Sequence, residues 1–287
     1  MLESLPGKRV ASKIAVLLLV MVMAFGCSLL PDARRLTWSL TLEIDGQPDE
    51  LEGVADQTIA IINRRLDLLY VPAHKVERQG NSRILVSLAD VADRERLKKF
   101  ITTTGKLELV HVVSPPSPYP VETYQTKEAA IASLGSTLPP NRRVLTYLDD
   151  QPNANQTEGV TSKPTKWVVV ESPAVVTGND LRSAEAVQLG PGRDDDFTVH
   201  DDFTVQFSLN ASGAERFGAW TAANINQYLG VVFNDEVRSI AYLKSQIFDQ
   251  GEITGSFTKE SAEDLANVLI SGALPAPVKI ISEAPIK

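Results

Sequence analysis

The sequence predicts an α+β fold whose first ordered part is ferredoxin-like, a split βαβ unit. Three observations carry that prediction. Residues 36–113 run through strand and helix periods in the order β-α-β-β-α-β. Their strands alternate apolar and polar residues, as an antiparallel sheet with helices on one face requires. Strand and helix periods then return after residue 166.

Leu36, Trp38, Leu40, Leu42 and Ile44 alternate with Thr37, Ser39, Thr41 and Glu43, a half-buried strand. Over 54–69, Ile59, Ile62, Leu66 and Leu69 share one helix face, and Pro72 bars continuation. A short strand starts at Val76, Gln79-Gly80-Asn81 turns the chain, and Arg83 to Leu88 returns. Asp90 and Asp93 precede a second helix with Leu97, Phe100 and Ile101 inward, and Gly105 is expected to end it. Lys106 to Val113 is a further strand.

Residues 114–166 hold eight of the 17 prolines, so an irregular connection is expected there, with one short helix near Lys127 to Leu134 and no central strand. Trp167 to Glu171 is the next strand, and Asn179 or Asp180 caps a short helical turn from Leu181 to Ala186. Phe203, Val205, Phe207 and Leu209 mark a strand. Ser212 and Glu215 read as a capping box for a helix presenting Phe217, Trp220 and Thr221. Leu229 to Phe233, Asn234-Asp235 and Val237 to Ala241 form a hairpin. Thr258 caps a last helix, Gly272 follows it, Pro275 and Pro277 prevent its extension, and Val278 to Ile281 closes the chain as a strand.

Composition narrows the function. Hydrophobic residues make up 43%, too many for a disordered chain. A net charge of −8 argues against sequence-independent nucleic-acid binding. A single cysteine excludes an internal disulfide and a multi-cysteine metal site. His74, His111 and His200 lack metal-ligand spacing, and no hydrolase, phosphate-loop or zinc-protease motif occurs. No catalytic residue, metal or cofactor is therefore expected.

The first residues read as a targeting segment. Lys8, Arg9 and Lys13 precede an apolar run from Ile14 to Phe25, short for a membrane span and suited to a signal peptide over 1–26. Ala24-Phe25-Gly26-Cys27 resembles a bacterial lipobox, which makes Cys27 the expected lipidation site and 27–35 a tether. The other reading is an uncleaved anchor from Ile14 to about Leu30, with Cys27 incidental. Both place the rest of the chain on the periplasmic side of the envelope. Ser28, where an Asp would argue for inner-membrane retention, leans towards the outer membrane.

Three clusters invite a binding role. Phe203, Phe207, Phe217 and Trp220 read as a core or as an apolar groove for an extended polypeptide. Asp194, Asp195, Asp196, Asp201 and Asp202 read as a solvated acidic edge or a calcium site. Arg64, Arg65, Arg94, Arg96, Lys98 and Lys99 read as a solvated face or as contacts to lipid headgroups.

Gly251-Glu252-Ile253-Thr254-Gly255-Ser256-Phe257-Thr258, with Gly272-Ala273-Leu274-Pro275-Ala276-Pro277 after it, resembles the end of the first periplasmic domain of the SecD family. Ile62-Asn63-Arg64-Arg65-Leu66, Val76-Glu77-Arg78-Gln79-Gly80, Gly105-Lys106-Leu107-Glu108-Leu109 and Val176-Thr177-Gly178-Asn179-Asp180-Leu181 are similar to earlier parts of that domain. So is Gly213-Ala214-Glu215-Arg216-Phe217. The resemblance implies a ferredoxin-like base over 36–113, closed by 273–283, and an inserted α+β head over 167–272. It implies a non-catalytic role in protein export, with Sec translocon subunits or unfolded exported polypeptide as partners. Family members continue into six membrane helices, which are not in this sequence, so proton-driven motion is not carried over. The opposing expectation is a structural or adaptor lipoprotein that reuses the fold without an export role.

Overall fold

The computed structural model describes residues 35–286 except 47–50, 52, 117, 149–164, 190–191, 194–198 and 201–202. The fold is mixed α+β with several sheets. The first sheet contains β1 (Trp38–Ile44), β2 (His74–Gln79), β3 (Arg83–Leu88) and β15 (Val278–Pro285), all antiparallel, in the order β15-β1-β3-β2. Helices α1 (Val54–Leu68) and α2 (Arg94–Thr102) cover it. The apolar alternation of β1 explains its place: Trp38, Leu40, Leu42 and Ile44 are all buried beneath the helices, with Ile62, Leu66, Leu97 and Ile101.

One expected base strand lies elsewhere. β4 (Leu107–Val112) does not join the first sheet. The fourth place is taken by β15, which arrives from the C-terminal end of the chain and pairs with β1 from Trp38↔Pro285 to Ile44↔Val278. Strand order along the chain cannot reveal this, because β4 has the same apolar pattern in either sheet.

The chain therefore leaves the base after α2 and returns after α5 (Lys259–Ser271). Arg65 of α1 ties the two crossing points together. Its guanidinium is fully buried and donates to the carbonyls of Phe100, Ile101, Thr103 and Thr104 at the end of α2. It also donates to Gly272 and Ser271 Oγ at the end of α5, at 3.1 and 3.0 Å. Among the described residues no carboxylate accepts from it; two helix C-termini supply the negative potential instead. Burial lowers its pKa to about 10, so it remains charged at neutral pH. Gly105 is not the end of α2, whose C-cap is Thr103. It has φ of 79°, and a Cβ there would lie 2.7 Å from Val268 and 3.0 Å from the Arg65 guanidinium. Close approach is what requires the glycine.

Beyond the junction, β4, β5 (Arg142–Leu148), β6 (Thr165–Glu171), β12 (Tyr228–Phe233) and β13 (Glu236–Tyr242) pair in a ring closed by β12 and β4. The two-residue β7 (Val176–Thr177) pairs with the start of β4. Val110, Val112, Leu145, Val168, Val170, Val232 and Val237 form one core within this sheet. β5 corrects the expectation of an irregular connection. Its residues contain no proline; Pro139 and Pro140 end just before it, so the proline count hid a strand between breakers. The expected short helix is present as α3 (Lys127–Ala132), packed on Val144 and Val169.

The third sheet has the order β14-β11-β8, with β14 (Gln250–Phe257), β11 (Phe203–Leu209) and β8 (Leu181–Gln188), and the two-residue β9 (Gly192–Arg193) and β10 (Val199–His200) pair with each other. β8 replaces the expected helical turn. Only Gly178–Asp180 is helical, and Ala184 and Ala186 pair with Phe207 and Val205 on the face packed against α5. Alanine's helix preference yields here to cross-strand pairing and close helix packing. The helix α4 (Ala211–Ala223) is capped by Asn210, whose side chain accepts from Gly213 N–H at 2.9 Å. The Ser212–Glu215 box does not form, and Ser212 Oγ accepts instead from Arg216.

Two carboxylates stitch this region. Burial pushes the Glu171 carboxyl up, but hydrogen bonds from Arg142 and His111 outweigh it and hold the group below its usual range. Burial also pushes Asp180 up, and the Thr177 N–H and Arg216 outweigh it in the same sense.

Candidate functional site

The four aromatics singled out in the sequence do not form one groove. Phe207 and Phe217 are buried, 4% and 1% exposed, in a single core with Leu107, Leu109, Val205 and Ile253. Phe203 and Trp220 are half-buried at the margin of that core. Trp220 meets His111 edge-on, with ring centroids 5.7 Å apart, and borders an open hollow with Pro173, Val175 and Ala219. Cys27 and the aspartates of the acidic run lie outside the described residues, as do the signal segment and most of the tether.

The basic residues also differ from expectation. Arg65 is fully buried. Arg94 pairs with Asp90 at 2.7 Å and stacks over Trp38. Arg96 pairs with Asp264 and Glu260, and Lys98 with Glu95 and Glu283. Three of the six are thus paired with carboxylates, Asp90 and Glu95 from nearby and Glu260, Asp264 and Glu283 from distant segments. Among the described residues, no group of three or more His, Cys, Asp or Glu converges on a possible metal position, and no helix is long and apolar enough to cross a membrane.

An apolar concavity among the described residues lies at the junction. It is lined by Phe100 of α2 and by Phe233, Ile253, Phe257, Leu265 and Val268. The cavity is about 260 Å³, the size of one or two large side chains rather than of a cofactor. Arg96, Lys99, Arg238 and Asp264 stand at its rim. Arg96 crosses from α2 to α5 as a fork on Asp264, with N–O distances of 2.8 and 2.9 Å, so it braces the two helices. The chemistry offered is burial of an apolar side chain within a polar rim.

The motif in β14 acquires a physical reason here. A Cβ on Gly251 would fall 2.2 Å from the Phe207 ring, and one on Gly255 would fall 3.1 Å from the Phe257 ring. The first glycine seats a core aromatic, and the second seats the aromatic that lines the cleft. Sequence reasoning missed the cleft because its lining comes from 96–103, 233–238 and 253–268. The signal within reach was the Phe257-to-Val268 stretch beside the glycines.

Comparison with known proteins follows the same division. Residues 55–114 match the family model for the P1 domain, N-terminal, of protein translocase subunit SecDF, and residues 153–276 match that for the SecDF P1 head subdomain. The chain is 35% identical over 232 residues to protein translocase subunit SecD of Aquifex aeolicus, covering 81% of this chain and 39% of the relative. It is 32% identical over 249 residues to SecD of Koribacter versatilis, covering 86% of this chain and 42% of that one. The chain thus spans about two fifths of the length of these relatives. A solved structure of SecDF, a membrane component that enhances protein export, shares the fold with a TM-score of 0.58 at 24% identity, over 85% of this chain and 98% of that one. The crystal structure of SecDF in its super-membrane-facing form gives 0.62 at 23% identity, over 96% of this chain and 34% of that one. Family models, relatives and fold agree in order along the sequence: this chain carries the first periplasmic domain, P1, of the SecD family.

Proposed function

We propose that this chain is a SecD-like, non-catalytic envelope protein that assists protein export by engaging translocating or unfolded polypeptide at the Sec translocon. The observation that carries the proposal is a coincidence of position. The two matched family regions both line the apolar cleft, Phe100 from the first and Phe233, Ile253, Phe257 and Leu265 from the second. An exported chain in transit has no fixed sequence, and what it offers repeatedly is an extended backbone with exposed apolar side chains. A one-side-chain pocket with a charged rim suits that client.

The finer parts of the reading go with it. The base is ferredoxin-like: the strand order β15-β1-β3-β2 with two helices fits a split βαβ unit whose last strand is delayed by an insertion. Residues 1–26 act as a signal peptide and Cys27 carries a lipid, with 27–35 as tether to a membrane on the periplasmic side. The head comprises the residues between the two crossing points. Ser28 favours a second reading, an adaptor lipoprotein at the outer membrane without an export role. Crosslinking in living cells followed by identification of adducts separates the two. Sec subunits or exported chains caught in transit are expected; adducts only to cell-wall or outer-membrane proteins contradict the export role.

A further inference from the structure

Tyr70 breaks two local rules at once. Its side chain is 90% exposed, more than any other large hydrophobic residue among those described. Its φ is 52°, a left-handed conformation at the position after a helix where glycine is usual. The surrounding hydrogen bonds form a complete helix stop. Val71 N–H donates to the Leu66 carbonyl at 3.1 Å and Tyr70 N–H to the Asp67 carbonyl at 3.0 Å. Val71 packs into the base core, so the stop is anchored and the ring of Tyr70 is held outward. Glycine would close this helix at less cost, and nothing within the described chain rewards the ring. A large side chain kept where local physics disfavours it points to a contact outside the monomer.

The end of the base that bears Tyr70 identifies the contact. Trp38 pairs with both Leu88 and Pro285, and Leu88 also pairs with His74. The start of β1, the end of β3, the start of β2 and the end of β15 therefore share one end of the sheet. Ile286 N–H donates to the Thr37 carbonyl at 2.8 Å, which brings both described chain ends to that place. The junction with the rest of the domain is at the opposite end, where Ile44 pairs with Val278 and Asp45 N–H bonds the Pro277 carbonyl. In the sequence, the apolar run ending at Phe25 stops ten residues before Arg35, and ten residues reach at most about 36 Å.

We infer that Tyr70 is an interfacial anchor, a ring that seats the base on a phospholipid surface. The inference rests on the reading that the N-terminal apolar run or its lipid holds the chain at a bilayer. Tyrosine suits the headgroup region because its ring is apolar and its hydroxyl is polar. Ile286, 37% exposed, adds apolar area at the same end. Arg94 pairs with Asp90 at this end and Asp67 lies 3.5 Å from His74, so the charge is mixed and a zwitterionic bilayer is the surface it fits.

The test uses the full chain with phosphatidylcholine vesicles whose acyl chains are brominated near the headgroups. Tyr70→Trp supplies the reporter, and Tyr119→Trp, exposed beside Tyr228 on the head side, supplies the control. Brominated lipid is expected to quench about half of the fluorescence that the first substitution adds and little of the second. Tyr70→Gly is expected to raise the melting temperature by a few degrees, because the left-handed strain is relieved. Chains that float with vesicles while the Tyr70→Trp signal stays unquenched overturn the inference and leave the N-terminal reading intact. Chains that do not float overturn both. A Tyr70→Gly variant that melts lower assigns the ring to the fold instead and also overturns the inference.

Discussion

Arg65→Met is expected to lower the unfolding free energy by about 3 kcal/mol or more, measured as the urea midpoint at constant slope. The side chain volume is nearly kept, so the loss comes from hydrogen bonds. Carbonyls of Phe100, Ile101, Thr103 and Gly272 lose this donor together, while that of Thr104 keeps the Leu274 N–H at 2.8 Å. Each buried acceptor left unpaired costs about 1–3 kcal/mol, and water entering the junction recovers part of the sum. Arg65→Lys keeps the charge at the two helix ends but cannot span both sets of carbonyls. It is expected to recover less than half of the loss. A methionine variant as stable as the wild type would show that the clamp is incidental to the fold.

Ser261→Phe is expected to weaken binding of an unfolded polypeptide by at least about tenfold, because it fills the space one apolar side chain of the client would occupy. Ser261 is exposed on the first turn of α5 and lines the cleft. Its backbone N–H, which donates to Thr258 Oγ1, is untouched by the change. The melting temperature should therefore move little. The measurement is fluorescence anisotropy of a labelled, permanently unfolded protein titrated with the wild type and the variant. Equal affinities would mean that clients bind elsewhere, and the Trp220 hollow would become the surface to test.

Much of the base could be read from sequence because its elements are periodic and locally punctuated. Trp38 to Ile44 alternates, α1 keeps its apolar face, Asp93 caps α2, and Asn234-Asp235 turns the β12–β13 hairpin with both residues at positive φ. What failed depended on distant partners. Leu107–Val112 reads as a base strand because nothing local distinguishes one sheet from another. Arg142–Leu148 was concealed by its proline neighbours, and Leu181–Gln188 by its alanines. At the site the loss was greater. Arg65 reads as a solvated helix residue until α2 and α5 both end against it. The cleft exists only once segments more than 100 residues apart are folded together, as Arg96 and Asp264 are. Phe207 and Phe217 were legible as aromatics, but their burial was decided by Gly251 and by the helix above them.

The most direct measurement places a photo-activatable phenylalanine at position 261 of the full chain and illuminates cells in which an exported protein is arrested in transit. The account predicts an adduct joining the two chains, absent when the same group is placed at Glu128 on α3. Equal adducts at both positions, or none at 261 while export proceeds, would contradict a client-binding cleft at the meeting of base and head.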